Sequence, residues 1–201
     1  MGELWRRHEA HVSHAPKWAL DPMVAAHYLH VWPAVVVCRL AMWADGAGPV
    51  GMVIFAAAPR ESSVRYGGQT WELARLWIED SVARNAESWL IGQAVRHVRR
   101  EHPEVRCLVS YADPTQGHHG TIYRAANWRY DGMTDQERQT PRSDYVPVLS
   151  GGLLFGEAEG AKVGRRSHLS GEVHRKARSS KHRYFLPLAL SRQPRSLWGA
   201  A

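Results

Sequence analysis

A mixed β-sheet flanked by helices, an α/β domain over residues 1–135 followed by a loop-rich basic extension over 136–201, is what this 201-residue sequence predicts. Three observations lead there. Apolar, β-branched runs of strand length alternate with segments of helical period. A strand–helix–strand succession spans 70–111, and strands joined through a helix run parallel with a right-handed crossover. Charge is also segregated along the chain. Residues 1–160 hold 16 Lys/Arg against 18 Asp/Glu, whereas 161–201 hold 10 against the single acid Glu172, so the formal +7 arises in the last fifth.

Taken in order, DPMVAAHYLH (21–30) reads as a short helix ended by Trp32-Pro33. AVVVCRLAMW (34–43) and PVGMVIFAAA (49–58) are two strands joined by ADGAG, most simply a hairpin. TWELARLWIED (70–80) is a third strand. Trp89, Leu90, Ala94, Val95 and Val98 recur near 3.6 residues, so a helix follows, with Asn85 placed to cap it and Pro103 to end it. VRCLVSYAD (105–113) is a strand whose polar residues gather at its C-terminal end. GTIYRAANW (120–128) is a short helix and WRYDGM a last strand. Residues 136–183 hold little apolar content and read as loop, while YFLPLAL (184–190) is expected to dock the extension as a late edge strand or anchor.

Several classes fall away. Residues 1–15 hold no uninterrupted apolar run, and VVVCRLAMW, broken by Arg39, is too short to span a bilayer. A cytoplasmic protein with no membrane partner is expected. Cys38 and Cys107 match no metal spacing and read as free thiols. Rossmann, P-loop, nucleophile-elbow and zincin motifs are absent. Nine tryptophans exceed the needs of a core this size, so some are expected at a cleft or interface.

The candidate chemistry lies mainly in SYADPTQGHHGTIYRAANWRYDG (110–132). Ser110, Tyr111 and Asp113 occupy the end of a parallel strand, where α/β proteins gather their sites. Asp113 either caps the turn before Pro114 or serves as a proton acceptor or metal ligand. His118 and His119, with His27 or Asp113, would give a two-histidine, one-carboxylate set of the kind that suits Fe(II). Gly117 to Thr121 could instead turn amides toward an anion. Tyr123 falls toward the core or the cleft. Glu72 and Arg75, three positions apart on a strand, project to opposite faces and so are not expected to be partners. Arg84, Asn85 and Ser88 open a helix, which suits phosphate, although repeated glycines are missing. The basic run supplies Arg165, Arg166, Arg175, Lys176, Arg178, Lys181 and Arg183, cations suited to a double-stranded DNA backbone.

HYLHVWP (27–33), WELARLWIEDSVARNAESWLIG (71–92) and the 110–132 segment resemble the Mom family of phage DNA-modification proteins, a divergent branch of the GCN5-related N-acetyltransferase fold. KHRYF (181–185) is similar to that family's basic–aromatic ending. The resemblance implies modification of the exocyclic N6 of adenine in double-stranded phage DNA, in the bacterial host's cytoplasm, to a methylcarbamoyl (acetamido-type) derivative that protects against restriction. Matched by motif, the arginine of ELxR is Arg75, the aspartate of SYAD is Asp113 and the tyrosine of TIY is Tyr123, with His27 and Tyr28 for the HY pair. On this reading Asp113 is the base or holds a water or metal, Arg75 stabilises charge, and Tyr123 donates to the leaving group and lies beside the cofactor. It also implies acetyl-CoA or a glycine-like two-carbon donor, and a requirement for iron, as Fe(II), or another metal. Acetyl-CoA alone lacks the nitrogen of an acetamido group. Coenzyme A binds such folds between the fourth strand and the next helix, where this chain has DSVARNAES in place of a glycine-containing loop. The competing readings are an ordinary N-acetyltransferase on a protein or small molecule, and a non-enzymatic basic DNA-binding module.

Overall fold

The structure, a computed structural model, describes residues 10–29, 32–44, 48–82, 84–135, 143–147 and 173–188. Its centre is the hairpin of β2 (Val36–Ala44) and β3 (Pro49–Ala57), antiparallel with Ala41 opposite Met52. β3 is apolar almost throughout because both of its faces are covered. Strand alternation sorts the side chains. Leu40, Met42, Val53 and Phe55 face α3 (Ala86–Glu101) and its Leu90, Ile91, Ala94, Val95 and Val98. Ala41, Met52 and Ile54 face α1 (Lys17–Ala26) and its Leu20, Met23 and Val24.

β4 (Thr70–Ile78) runs antiparallel to β3, and β5 (Cys107–Ala112) lies parallel to β4 across α3, as the strand–helix–strand pattern requires. β1 (Ala10–His14) pairs with β2 at one margin. At the other, β6 (Arg129–Met133) and β9 (His182–Pro187) complete a seven-stranded sheet of order β1-β2-β3-β4-β5-β9-β6. β7 (Ser143–Pro147) and β8 (Val173–Ala177) form a separate antiparallel pair. Among the described residues no helix is long and apolar enough to cross a membrane.

Four features differ from the sequence expectation. α1 starts at Lys17, placing Pro22 inside the helix, and ends at Ala26, so His27 and Tyr28 leave the helix in its exit turn. β1 and the polar helix α2 (Arg60–Tyr66) carry too little apolar periodicity to announce themselves. Asn85 occupies the α3 N-cap position, but with φ of 70° and no side-chain cap. Finally, β9 is no edge strand. It inserts between β5 and β6, where Tyr184 is opposite both Ser110 and Tyr130, so the sheet draws one interior strand from beyond residue 135.

Candidate active site

The site begins where a ladder stops. β4 and β5 pair through Thr70–Cys107, Trp71–Leu108 and Glu72–Val109 and no further, although β4 continues to Ile78 and β5 to Ala112. Beyond that point Ser110 substitutes for a ladder amide, donating from Oγ to the Leu73 carbonyl at 2.9 Å. The splayed strands, the exit turn of α1, the 117–123 segment and Lys181 enclose a cavity of about 540 Å³.

A β-bulge decides which side chains enter it. Ile54 pairs with Arg75 while the next β3 residue, Phe55, pairs with Leu73, so Ala74 is the extra residue of β4. An inserted residue shifts the alternation by one. Glu72 and Arg75 therefore share a face and both line the cavity, contrary to the regular-strand expectation. Arg75 Nη1 donates to the Ala74 carbonyl at 2.6 Å, tying the guanidinium to the bulge. Burial draws Arg75 below its ordinary value, while Tyr28 and Glu72 counteract; a guanidinium stays charged in any case. Burial pushes the Glu72 carboxyl up, opposed by Arg75 and Lys181. Among the described residues, no hydrogen bond or salt bridge engages the Glu72 carboxylate.

Tyr123 lines the cavity from α4 (Thr121–Ala125), with burial pushing its phenol up to about 12. Its hydroxyl lies 2.8 Å from Ser110 Oγ and donates there, because the one Ser110 proton goes to the Leu73 carbonyl. Gly120, at φ of 73°, allows the close approach of Tyr184, whose ring a Cβ there would meet at 2.1 Å. Tyr184 in turn donates to the His119 carbonyl at 2.7 Å. His27 and Tyr28 form the opposite wall, their rings stacked at 4.4 Å, and the Leu29 amide donates to His27 Nδ1 at 3.1 Å. That bond fixes Nε2 as the protonated nitrogen of a neutral ring. His118 meets Tyr28 edge-on at 5.4 Å.

Asp113 stands beside the cavity, engaged elsewhere. Its Oδ1 accepts from the Thr115 amide at 3.0 Å and the Thr115 hydroxyl at 2.6 Å, and its Oδ2 lies 3.2 Å from Lys181 Nζ. It thus caps the single 3-10 turn Pro114–Gln116 while holding Lys181, which does line the cavity. Burial works to raise the Asp113 pKa, but the Thr115 bonds and Lys181 outweigh it and hold the carboxyl below the usual range.

The remaining candidates separate. Arg84 and Asn85 are exposed at the start of α3, and Ser88 donates to the Asn85 carbonyl at 3.0 Å; from that first turn it is Glu87 that lines the cavity. Among the described residues, no three of His27, Asp113, His118 and His119 bring ligand atoms within 4.8 Å of one another, so these residues do not fit an Fe(II) triad. Arg165 and Arg166 lie outside the described residues. Arg175 is exposed and donates to Ser143 Oγ at 2.6 Å, Lys176 is a β8 residue, and Arg178 is half-buried. Arg183, expected on DNA, is buried instead, its Nε 3.0 Å from Asp131 Oδ2 and its Nη2 2.9 Å from the Asp131 carbonyl. A cation at an interior strand is accommodated only with such a partner. Glu72 and Ser110 are the site residues that role assignment from sequence passed over, and Lys181, read there as a DNA contact, lines the cavity instead. A charge inside an apolar strand was the available signal for Glu72.

The fold is that of the GCN5-related N-acetyltransferases. The ribosomal-protein-S18-alanine N-acetyltransferase from Escherichia coli superposes with a TM-score of 0.52 at 9% identity, covering 94% of this chain and 99% of its own. An IAA acetyltransferase from Bacillus cereus gives 0.53 at 9% identity, covering 89% and 99%. A Salmonella typhimurium protein solved with its cofactor acetyl-CoA gives 0.51 at 12% identity, covering 94% and 99%. In sequence, the chain is 38% identical over 61 residues to the methylcarbamoylase mom of Escherichia phage Mu, a match spanning 30% of this chain and 25% of that protein. The profile of the Mom protein family extends much further, matching residues 9–197, and the chain belongs to that family.

Proposed function

We propose that this protein transfers a two-carbon unit to the exocyclic N6 of adenine in double-stranded DNA, giving a methylcarbamoyl-type base that shields phage DNA from restriction. Family membership and the phage Mu relative support the substrate, and the acetyltransferase fold supports group transfer. One observation carries the chemistry: Glu72, Arg75 and Tyr123 meet in a single cavity at the β4–β5 splay.

The adenine amine has its lone pair delocalised into the ring and attacks only as its proton leaves. Sequence suggests Asp113 for that proton, but its carboxylate is taken by Thr115 and Lys181 and held at low pKa. Glu72 is the better acceptor. It lines the cavity, its carboxylate carries no hydrogen bond or salt bridge among the described residues, and burial raises its basicity. Arg75, brought to the same face by the bulge, stabilises the oxyanion that develops on the donor carbonyl. Tyr123, kept protonated by burial, turns its hydroxyl proton from Ser110 Oγ to the departing group. Asp113 is a positioning residue that fixes Lys181 and the loop carrying His118 and His119. Tyr28, backed by the stacked His27 ring, offers an aromatic surface against which an extruded purine would stack.

An acyl-coenzyme A donor, which would supply the activated carbonyl, fits the open β4 edge, with Arg84 and the first amides of α3 toward its phosphates. Attack on a glycine-like acyl unit would form N6–C(O)–CH2–NH2 and release the coenzyme A thiol, which has the atoms of the methylcarbamoyl group. The N6–CH2–C(O)–NH2 linkage would then require isomerisation of that unit, and a plain acetyl unit would require a separate nitrogen donor. Nucleoside mass spectrometry of plasmid DNA from cells making the protein tests the reading. A carbamoylmethyl-sized gain on deoxyadenosine is expected. Unmodified DNA alongside acetylated protein or small molecules would support an ordinary N-acetyltransferase instead.

A further inference from the structure

A second group of chemically capable side chains lies on the far side of the sheet from α1 and takes no part in the proposed reaction. Cys38 projects from the start of β2 toward α3, and His97 and His102 come from the last turns of that helix. Five positions apart, the two histidines would point about 140° away from each other on a continuous helix. The helix ends at Glu101, however, and His102 leaves it at φ of −131°, which returns its ring toward His97 with 6.2 Å between centroids. One ligand atom from each of the three residues lies within 4.8 Å of the other two. Cys38 is buried and both histidines are half-buried.

We propose that Cys38, His97 and His102 bind one zinc ion that fastens β2 to the C-terminal end of α3. A thiolate with two imidazoles is a donor set suited to zinc. Tetrahedral bonds of about 2.0–2.3 Å put ligand atoms roughly 3.3–3.7 Å apart, so closure around the ion needs only side-chain rotation from the present spacing. An outer group already steadies one ring, since Glu104 Oε1 lies 3.3 Å from His102 Nδ1. A carboxylate on that nitrogen leaves Nε2 as the ligating atom. The Trp71 ring, 4.6 Å from that of His102, walls the group on the sheet side. The fourth position falls to water. His97 is ten residues from the cavity-lining Glu87, about 15 Å along the helix, so the ion is structural and separate from the reacting groups.

The test uses the full-length, untagged chain, stripped with a chelator and titrated with cobalt(II) as a spectroscopic substitute for zinc. One equivalent should give the visible bands of a tetrahedral site and a near-ultraviolet thiolate-to-cobalt band, and stoichiometric zinc should abolish both. Cys107→Ser, removing the other buried thiol, should leave the spectrum intact, whereas Cys38→Ser should remove the near-ultraviolet band. Zinc should also raise the melting temperature of wild type but not of His97→Asn. Wild-type protein that binds cobalt without a thiolate band, or binds neither metal stoichiometrically, overturns the proposal. That outcome needs no variant to fold and says nothing about adenine modification.

Discussion

Two carboxylates beside one cavity have opposite surroundings, and their pH behaviour should separate them. Glu72 is raised by burial and faces the cavity; Asp113 is lowered by its Thr115 bonds and Lys181. A base works as the carboxylate, so modification should fall as pH drops through the elevated Glu72 value, above the ordinary carboxylate range. Glu72→Gln should cost roughly 100-fold or more in single-turnover rate and erase that acid limb. Asp113→Asn should lower the rate but keep the limb, since Glu72 remains. Retention of rate and limb in Glu72→Gln would return the role to Asp113. Stability carries a separate signature. A depressed aspartate stabilises the fold above its unfolded pKa, about 4, and that contribution disappears as pH falls through the lower folded value. Denaturation midpoints measured down the acid range should therefore fall less steeply in Asp113→Asn than in wild type.

At the scale of elements, the bulge at Ala74 and the Gly120–Tyr184 contact set the geometry. Deleting Ala74 would remove the bulge and leave Glu72 and Arg75 two positions apart, still on one face, while taking away the carbonyl that ties the Arg75 guanidinium. The expected result is a folded protein with modification lowered but not abolished, because the two charges keep their face while Arg75 loses its anchor, checked by circular dichroism beside nucleoside analysis. Gly120→Ala meets two obstacles, a left-handed backbone and the Tyr184 ring 2.1 Å from the new Cβ. It should lose about 1–3 kcal/mol in urea unfolding and lower activity through displaced Tyr123. These elements also show what was legible in the sequence. The β2–β3 hairpin, the parallel β4–β5 pair and α3 follow from long apolar runs and a clear helical period, signals that depend on near neighbours. Facing of Glu72 and Arg75 did not follow, because a bulge is fixed by pairing with β3 and leaves no mark in β4 alone. Likewise, Tyr184 reads as part of an anchor until β5 and β6 are seen on either side of it.

Across the whole molecule, the last fifth of the chain does two jobs that composition alone merges. It supplies the interior strand β9, and it carries the excess of cations. Lys181 and Arg183 belong to the first job, held by Asp113 and Asp131. Removing 161–201 to test DNA binding would therefore delete a strand paired on both sides, and loss of affinity would report unfolding. Neutralising cations outside β9 avoids this. If the basic segment contacts phosphates, each contact contributes about −0.9 to the slope of log affinity against log salt. Arg165→Gln, Arg166→Gln and Arg175→Gln combined should make that slope shallower by roughly 2–3 on duplex DNA of any sequence, with the melting temperature unchanged. Arg183→Gln should do the reverse, leaving the slope alone while destabilising the protein, because the Asp131 carboxylate at β6 loses its buried partner. An unaltered slope in the triple variant would remove the basic segment from DNA contact and shift the search for the duplex-binding surface to the cavity rim, where Lys181 supplies a cation.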